Sequence, residues 1–191
     1  MGILNVTPDS FYDGGVNNTF ERALSKVDEM VKAGVDIIDI GGYSSRAQAI
    51  DVSEEEEINR VIPVIKAIRE KYPECILSID TFRAAVADKA LENGVHIVND
   101  ISGGMQDENM FDVVAKHKAV YCMMHMKGTP QTMVSQAEYS NLFLEIIDFF
   151  NKQIAKARAK GVIDILIDPG FGFAKTEIQN YQLLKYLDVF K

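Results

Sequence analysis

Three times along the chain, an amphipathic stretch of helical period ends in Gly-Val and gives way to a short apolar run. Residues 19–33 precede Gly34-Val35 and DIIDI, residues 82–93 precede Gly94-Val95 and HIVNDI, and residues 136–160 precede Gly161-Val162 and IDILID. In the first stretch Phe20, Ala23, Leu24, Val27, Met30 and Val31 recur at the spacing that places them on one helix face. A glycine just past a helix end supplies the left-handed cap, and a short apolar run bounded by polar residues suits a strand covered on both faces. The pattern predicts strands at roughly 1–6, 35–41, 76–80, 95–100, 119–125 and 163–168, each followed by a helix.

Two helix starts carry their own signals. Ser53 with Glu56 three residues on reads as a capping box, and Thr176 with Gln179 reads the same way. The Glu54–Glu57 run lies at the positive end of its helix dipole and reads as a solvated helix start rather than a metal site. Regular βα alternation predicts a parallel sheet, either open and doubly wound or closed as an eight-stranded barrel, and periodicity alone does not separate the two. Six predicted strands fall short of the eight that a barrel of about 250 residues contains. If the fold is a barrel, two βα units are expected to be absent from this sequence.

Composition narrows the class. At 191 residues, 47% hydrophobic and 25% charged, the chain suits one globular domain over 1–191 with a well-buried core. A net charge of −8 argues against a nucleic-acid or anionic-membrane surface, while leaving room for a local basic pocket. No apolar run approaches the ~20 residues of a membrane span, and the start does not read as a signal peptide. Cys75 and Cys122 do not suggest a disulfide framework; Cys122, within AVYCMM, reads as a buried thiol in a reducing, cytoplasmic setting.

The chemistry gathers at the strand ends, where parallel α/β folds bind ligands. Those ends carry Asn5, Asp39, Asp80, Asn99 with Asp100, Met124 with His125, and Asp168. Each polar group alone could be a structural cap, since buried polar groups usually find a protein partner. Together they offer many acceptors and few cations. Such a pocket suits a neutral heterocycle with adjacent N–H donors, such as the amino-pyrimidinone edge of a pterin or guanine, which a carboxylate can engage with both oxygens. A divalent metal suits the same oxygens. Two segments after strand ends, Pro8–Asn18 and Gly41–Val52, run to eleven and twelve residues. Connections in such folds usually take about 2–6, and both segments are expected to close over a substrate. Arg46 in the second is a candidate anion binder.

At these residues a family becomes recognisable. MGILNVTPDSFYDGG (1–15) and DIIDIGGYSSRAQA (36–49) resemble the two signatures of dihydropteroate synthases. SIDT (78–81), VNDISGG (98–104), MHMKGTPQTM (124–133) and IDPGFGF (167–173) follow in the family's order. The resemblance implies a (β/α)8 TIM barrel, of which about six βα units are present. It implies an enzyme of folate synthesis that joins p-aminobenzoate to a hydroxymethyl-dihydropterin pyrophosphate, releasing pyrophosphate. On matching positions, Asp80, Asn99 and Asp168 look like pterin-binding residues, and Met124, Gly172 and Phe173 like pocket lining, with Gly172 allowing close backbone approach. Asn5 looks like the ligand of the Mg²⁺ that accompanies the pyrophosphate. Phe11, Asp13, Ser45 and Arg46 lie where the family's loops complete the site, Asp13 and Arg46 in catalytic roles. The family implies a cytoplasmic homodimer acting on small molecules. No histidine is assigned a catalytic role; His125 reads as a packing or supporting group, and His96 and His117 lack partners in sequence.

There are departures. Ala47 and Gln48 stand where the family commonly has Pro and Gly, and Tyr43 where many members have Glu. Losing the proline frees φ and loosens the loop. The expected result is altered binding of p-aminobenzoate and of the sulfonamides that mimic it; equal sulfonamide inhibition constants for a full-length version and its Ala47→Pro variant would exclude this. The family's last two strands supply a lysine and an arginine–histidine pair, so a chain of this length is expected to be a fragment with little or no synthase activity and two exposed sheet edges. A segment before Met1 is likewise expected. The nearest alternatives are the pterin domain of a methyltetrahydrofolate–corrinoid methyltransferase and a non-catalytic pterin-binding module, with a metal-dependent barrel enzyme ranked below both.

Overall fold

The structure, a computed structural model, describes residues 1–7, 16–43, 52–129 and 132–191. Among the described residues, six strands alternate with six helices: β1 (Gly2–Asn5), α1 (Val16–Lys32), β2 (Ile37–Gly41), α2 (Glu54–Lys71), β3 (Ile76–Asp80), α3 (Ala84–Glu92), β4 (Ile97–Asp100), α4 (Met110–His117), β5 (Val120–Met124), α5 (Leu142–Ala159), β6 (Ile165–Asp168) and α6 (Glu177–Lys185). Short 3₁₀ turns at Met133–Gln136 and Leu187–Phe190 precede α5 and follow α6. All ladders are parallel and the strands lie in sequence order, β1 to β6. A doubly wound sheet reverses its order at a switch point. This sheet never does, so it curls as barrel staves do, and it stays open between β1 and β6.

The Gly-Val repeat is a repeated helix stop. Gly34, Gly94 and Gly161 take φ of 80°, 88° and 94°. The amides of Val35, Val95 and Val162 bond back to Met30, Ala90 and Ala157 at 3.1, 3.2 and 3.0 Å. This is the six-to-one bond of a Schellman ending, with its apolar residue turned onto the core. Helix α4 stops identically, with Lys118 at φ 54° and Ala119 N bonded to Val114 O at 3.1 Å, so the repeat runs one unit further than the Gly-Val signal.

Three expectations change. The stretch 136–160 is not one helix: Asn141 caps a fresh start, its side chain accepting from Leu144 N. The Ser53 cap accepts from Glu56 N at 3.1 Å, but the Glu56 carboxylate turns to Arg60 Nε at 2.9 Å, whereas Thr176 and Gln179 form the complete box. The glutamate run is not wholly solvated, because Glu57 is 0% exposed. Its carboxylate accepts from Thr81 Oγ1 at 2.7 Å and from Arg83 Nη1 at 2.6 Å.

The core lies between sheet and helices. Leu4, Ile38, Ile40, Leu77, Ile79, Val98, Tyr121 and Met123 point outward and pack against Ala23, Val27, Val61, Ile65, Ile68, Val86, Val114 and Ile146. Strand side chains alternate with period two, which turns the intervening residues to the concave face. There the sheet is polar at its carboxyl end. At the open edges that face exposes Ile3 (65%) and Leu166 (52%).

Candidate functional site

The strand registers gather the inward residues. Asn5 pairs with Gly41, Gly41 with Asp80, Asp80 with Asn99, Asn99 with Cys122, and Met124 with Asp168. Asn5, Asp80, Asn99, Met124 and Asp168 therefore rim one bowl. Phe11, Asp13, Ser45 and Arg46, together with Ala47 and Gln48, lie outside the described residues.

Among the described residues, most acceptors in this bowl have no donor. Asp80 has no hydrogen bond among the described residues, and its oxygens are not among the buried unpartnered atoms, so they face open space. Asp168 Oδ1 accepts from Gly170 N at 2.8 Å, which shapes the turn after β6 and leaves Oδ2 open. Asn99 donates through Nδ2 to Asp39 Oδ2 at 3.0 Å. Burial pushes the Asp80 carboxyl well above the usual carboxylate range, and the charges of Asp39, Glu57 and Asp100 push it further. Asp39 is raised too, by burial, against the opposing influence of the adjacent Ser78 hydroxyl and the hydrogen bond from Asn99. A carboxylate held without cations in such surroundings gains most from a ligand that brings N–H donors.

One side of the bowl is apolar. Ile101, Met124 and Met126 form a small cluster packed with Phe82, Met133 and Phe173. Gly172 follows at φ 82°, yet a Cβ there would meet nothing within 4 Å, so its backbone conformation selects glycine rather than crowding by the protein. Crowding acts at Gly170, where a Cβ would fall 2.1 Å from His125 O. Behind this wall Lys175, 8% exposed, reaches His125 Nδ1 (3.1 Å), His125 O (3.3 Å) and Phe173 O (2.9 Å), tying the β5 and β6 loops together. Burial lowers its amine to about 8 and lowers His125 to about 3, where nearby Lys175 and Lys127 add to the effect. His125 is packed against Phe149, Phe150 and Tyr139.

Other residues singled out by sequence prove structural. Asp100 turns outward, 0% exposed, and accepts from Tyr121 Oη (2.6 Å), Ser102 N (2.7 Å) and Gly104 N (3.0 Å). It shapes the β4 loop and is not a bowl group. His96 Nδ1 accepts from Leu77 N, and His117 Nε2 pairs with Asp88. Cys122 is half-buried on the inner face, its thiol pushed up to about 12 by burial and by the charges of Asp168, Asp39, Asp100 and Asp80. A cleft of about 620 Å³ lies along α5, bounded by Met105, Gln106, Met126, Lys152 and Lys156; it shares Met126 with the bowl's apolar wall and contains none of the inward strand-end residues. Sequence reasoning left Asp39 without a role and missed Lys175. The first shows as an acid in an alternating strand; the second carries no local signal, since its partner lies 50 residues away.

For a divalent ion, the donors are oxygens. A Cβ on Gly41 would lie 3.2 Å from Asn5 Oδ1 and 3.5 Å from Asp80 Oδ2, so both oxygens converge over this glycine. Among the described residues no group of three or more His, Cys, Asp or Glu could hold a metal. A sparse oxygen set of this kind fits Mg²⁺, which keeps waters and substrate oxygens, and does not fit a metal caged by protein ligands.

With this geometry, the chain was compared with known proteins. It matches the family of pterin binding enzymes over residues 1–191. It is 47% identical over 193 residues to the dihydropteroate synthase of a Synechocystis strain, covering 100% of this chain and 66% of that protein. The structure of Clostridium difficile dihydropteroate synthase, obtained in the presence of pteroic acid, superposes with a TM-score of 0.90 at 43% identity, over 98% of this chain and 69% of that one. The Xanthomonas albilineans synthase with 4-aminobenzoic acid gives a TM-score of 0.88 at 38% identity, over 97% and 66%. The chain thus spans about two thirds of the length of the relatives it matches. From the sheet order, the strand-end acids and amide, and these likenesses, the chain belongs to the pterin-binding enzyme family, among the dihydropteroate synthases.

Proposed function

We propose that this chain carries the pterin-binding part of a dihydropteroate synthase, which joins p-aminobenzoate to hydroxymethyl-dihydropterin pyrophosphate and releases pyrophosphate. The observation that carries this reading is the set of unpaired acceptors, Asp80, Asn99 Oδ1 and Asp168 Oδ2, facing one bowl beside an apolar wall. A 2-amino-4-oxo-pteridine supplies the missing donors along one edge and a flat face for Met124 and Phe173. Asp168 takes the amine and ring N–H, while Asp80 and Asn99 take the remaining donors. The relatives' complexes with pteroic acid and 4-aminobenzoic acid support the same ligand classes here.

Catalysis in this reading is orientation and electrostatics rather than attack by a protein nucleophile. The bowl holds the pterin with its methylene toward the mouth, and the arylamine displaces pyrophosphate there. Asn5 would hold Mg²⁺, whose charge offsets that of the departing pyrophosphate. Phe11, Asp13, Ser45 and Arg46 are assigned to the loops that complete the p-aminobenzoate and pyrophosphate sites, Asp13 and Arg46 as catalytic groups. The remaining assignments are a single domain, a cytoplasmic location and a homodimeric whole enzyme; no described helix is long and apolar enough to cross a membrane. The test is twofold. A 191-residue polypeptide of this sequence is expected to bind pteroic acid or a hydroxymethylpterin in a fluorescence titration. Pyrophosphate release from the dihydropterin pyrophosphate in the presence of p-aminobenzoate is expected to be weak, because the bowl is open between β1 and β6. Absence of pterin binding by the folded chain would overturn the reading, and binding with methyl transfer to a corrinoid would redirect it.

A further inference from the structure

We infer that Asp39 is a specificity-determining positioning residue: it fixes the hydrogen-bonding polarity of Asn99, so that the bowl reads an amine rather than a carbonyl on its ligand. The inference rests on the pterin reading and deepens it. Asp39 lies on β2, 5% exposed, on the inner face. Its register partner is Ser78 on β3, and Asp39 Oδ1 and Ser78 Oγ are buried without hydrogen-bond partners. Asp39 Oδ2 has one donor, Asn99 Nδ2 at 3.0 Å, from β4, 60 residues away.

The chemistry of the pair is asymmetric. An ionised carboxylate only accepts, whereas a primary amide presents a donor on one branch and an acceptor on the other. With Nδ2 drawn to Asp39, the Asn99 carbonyl must point away from it. Asn99 Oδ1 has no donor among the described residues and is not among the buried unpartnered atoms, so it opens into the bowl. Reversing the amide would bring its carbonyl against the Asp39 carboxylate and leave a buried acceptor pair with no proton between them, which is costly in low dielectric. Asp39 therefore touches no ligand in this arrangement. It decides which atom of Asn99 does.

The experiment uses two probes of one shape: 6-hydroxymethylpterin, with an amine at position 2, and its 2-oxo counterpart, a lumazine. Dissociation constants for both are measured by fluorescence titration on the natural chain, Asp39→Asn and Asp39→Ala. The natural chain is expected to prefer the amine. In Asp39→Asn the new side chain can donate to Asn99 Oδ1 as readily as it accepts from Nδ2, and in Asp39→Ala nothing orients the amide. Both are expected to lower the amine-over-oxo ratio by about 3- to 10-fold, the share of one hydrogen bond, leaving the share held by Asp168. Asp39→Asn keeps the volume and removes a buried charge, so it is the variant expected to retain the fold, checked by its melting curve. A ratio equal to the natural one in folded Asp39→Asn would overturn the inference. If the natural chain binds neither probe, the pterin reading itself fails; binding with an unchanged ratio rejects only the role of Asp39.

Discussion

Replacing Asp168 by Asn is expected to weaken pterin binding by roughly 30- to 1,000-fold, about 2–4 kcal/mol, the range for losing charge-assisted hydrogen bonds at a desolvated site. Among the described residues one carboxylate oxygen has no donor and the other accepts only from Gly170 N, so the group keeps lone pairs for two ligand donors. An asparagine keeps one acceptor but turns an NH₂ toward the ligand's own N–H. The Gly170 turn survives if the amide oxygen takes over that bond, so stability is expected to change little while affinity collapses. Titration of hydroxymethylpterin against the natural chain and Asp168→Asn, with melting curves alongside, measures both. An affinity within threefold of the natural one would remove Asp168 from the site.

The second large effect concerns the fold. Arg83→Met is expected to destabilise the chain by about 3–5 kcal/mol at pH 8, the usual cost of stranding one partner of a buried ion pair. Glu57 is fully buried, and Arg83 is its cationic partner at 2.6 Å. Arg83 also donates to Val52 O at 2.7 Å and stacks 5.2 Å from the rings of both Tyr43 and Phe82. The loss should depend on pH with a definite sign. Burial raises the Glu57 carboxyl above its ordinary value even with Arg83 present. The native state therefore binds more protons than the unfolded state, and stability falls as pH rises from the unfolded pKa through the folded one. Without Arg83 the folded pKa climbs further, so the penalty shrinks toward acid, where Glu57 is protonated, and is complete only above that raised folded pKa. Urea unfolding of both proteins at pH 5 and pH 8 measures it; a penalty equal at both values, or below about 1 kcal/mol, would show that the pair matters little.

The two residues illustrate what was legible in the chain. Asp168 closes an alternating strand and begins a turn, so its place at a strand end follows from local pattern. Arg83 and Glu57 sit 26 residues apart, and nothing near either announces the other. Glu57 looks like one more acid in a solvated helix start, yet on α2 it falls one turn in from Ser53, on the side facing the strand ends. Asp100 errs in the other direction: it sits beside Asn99 at the end of β4, but strand alternation turns it to the helix side, where Tyr121 claims it.

Taken alone, the sequence determined the βα alternation, the helix stops and the rank of strand-end groups, because each depends on residues within one turn or one strand. Periodicity sets which face is apolar, and a residue able to take positive φ sets where a helix ends. It also placed Asn5, Asp80, Asn99, Met124 and Asp168 at successive strand ends. Tertiary structure decided everything carried by partners far apart in the chain. It chose the in-order curl of the sheet over a doubly wound one, and it turned Asp100 outward. It buried Glu57 against Arg83, set Lys175 behind the β5 and β6 loops, and oriented Asn99 through Asp39. The physical reason is range: propensity and capping act over a few residues, while desolvation and hydrogen-bond satisfaction depend on whichever groups the closed core brings together.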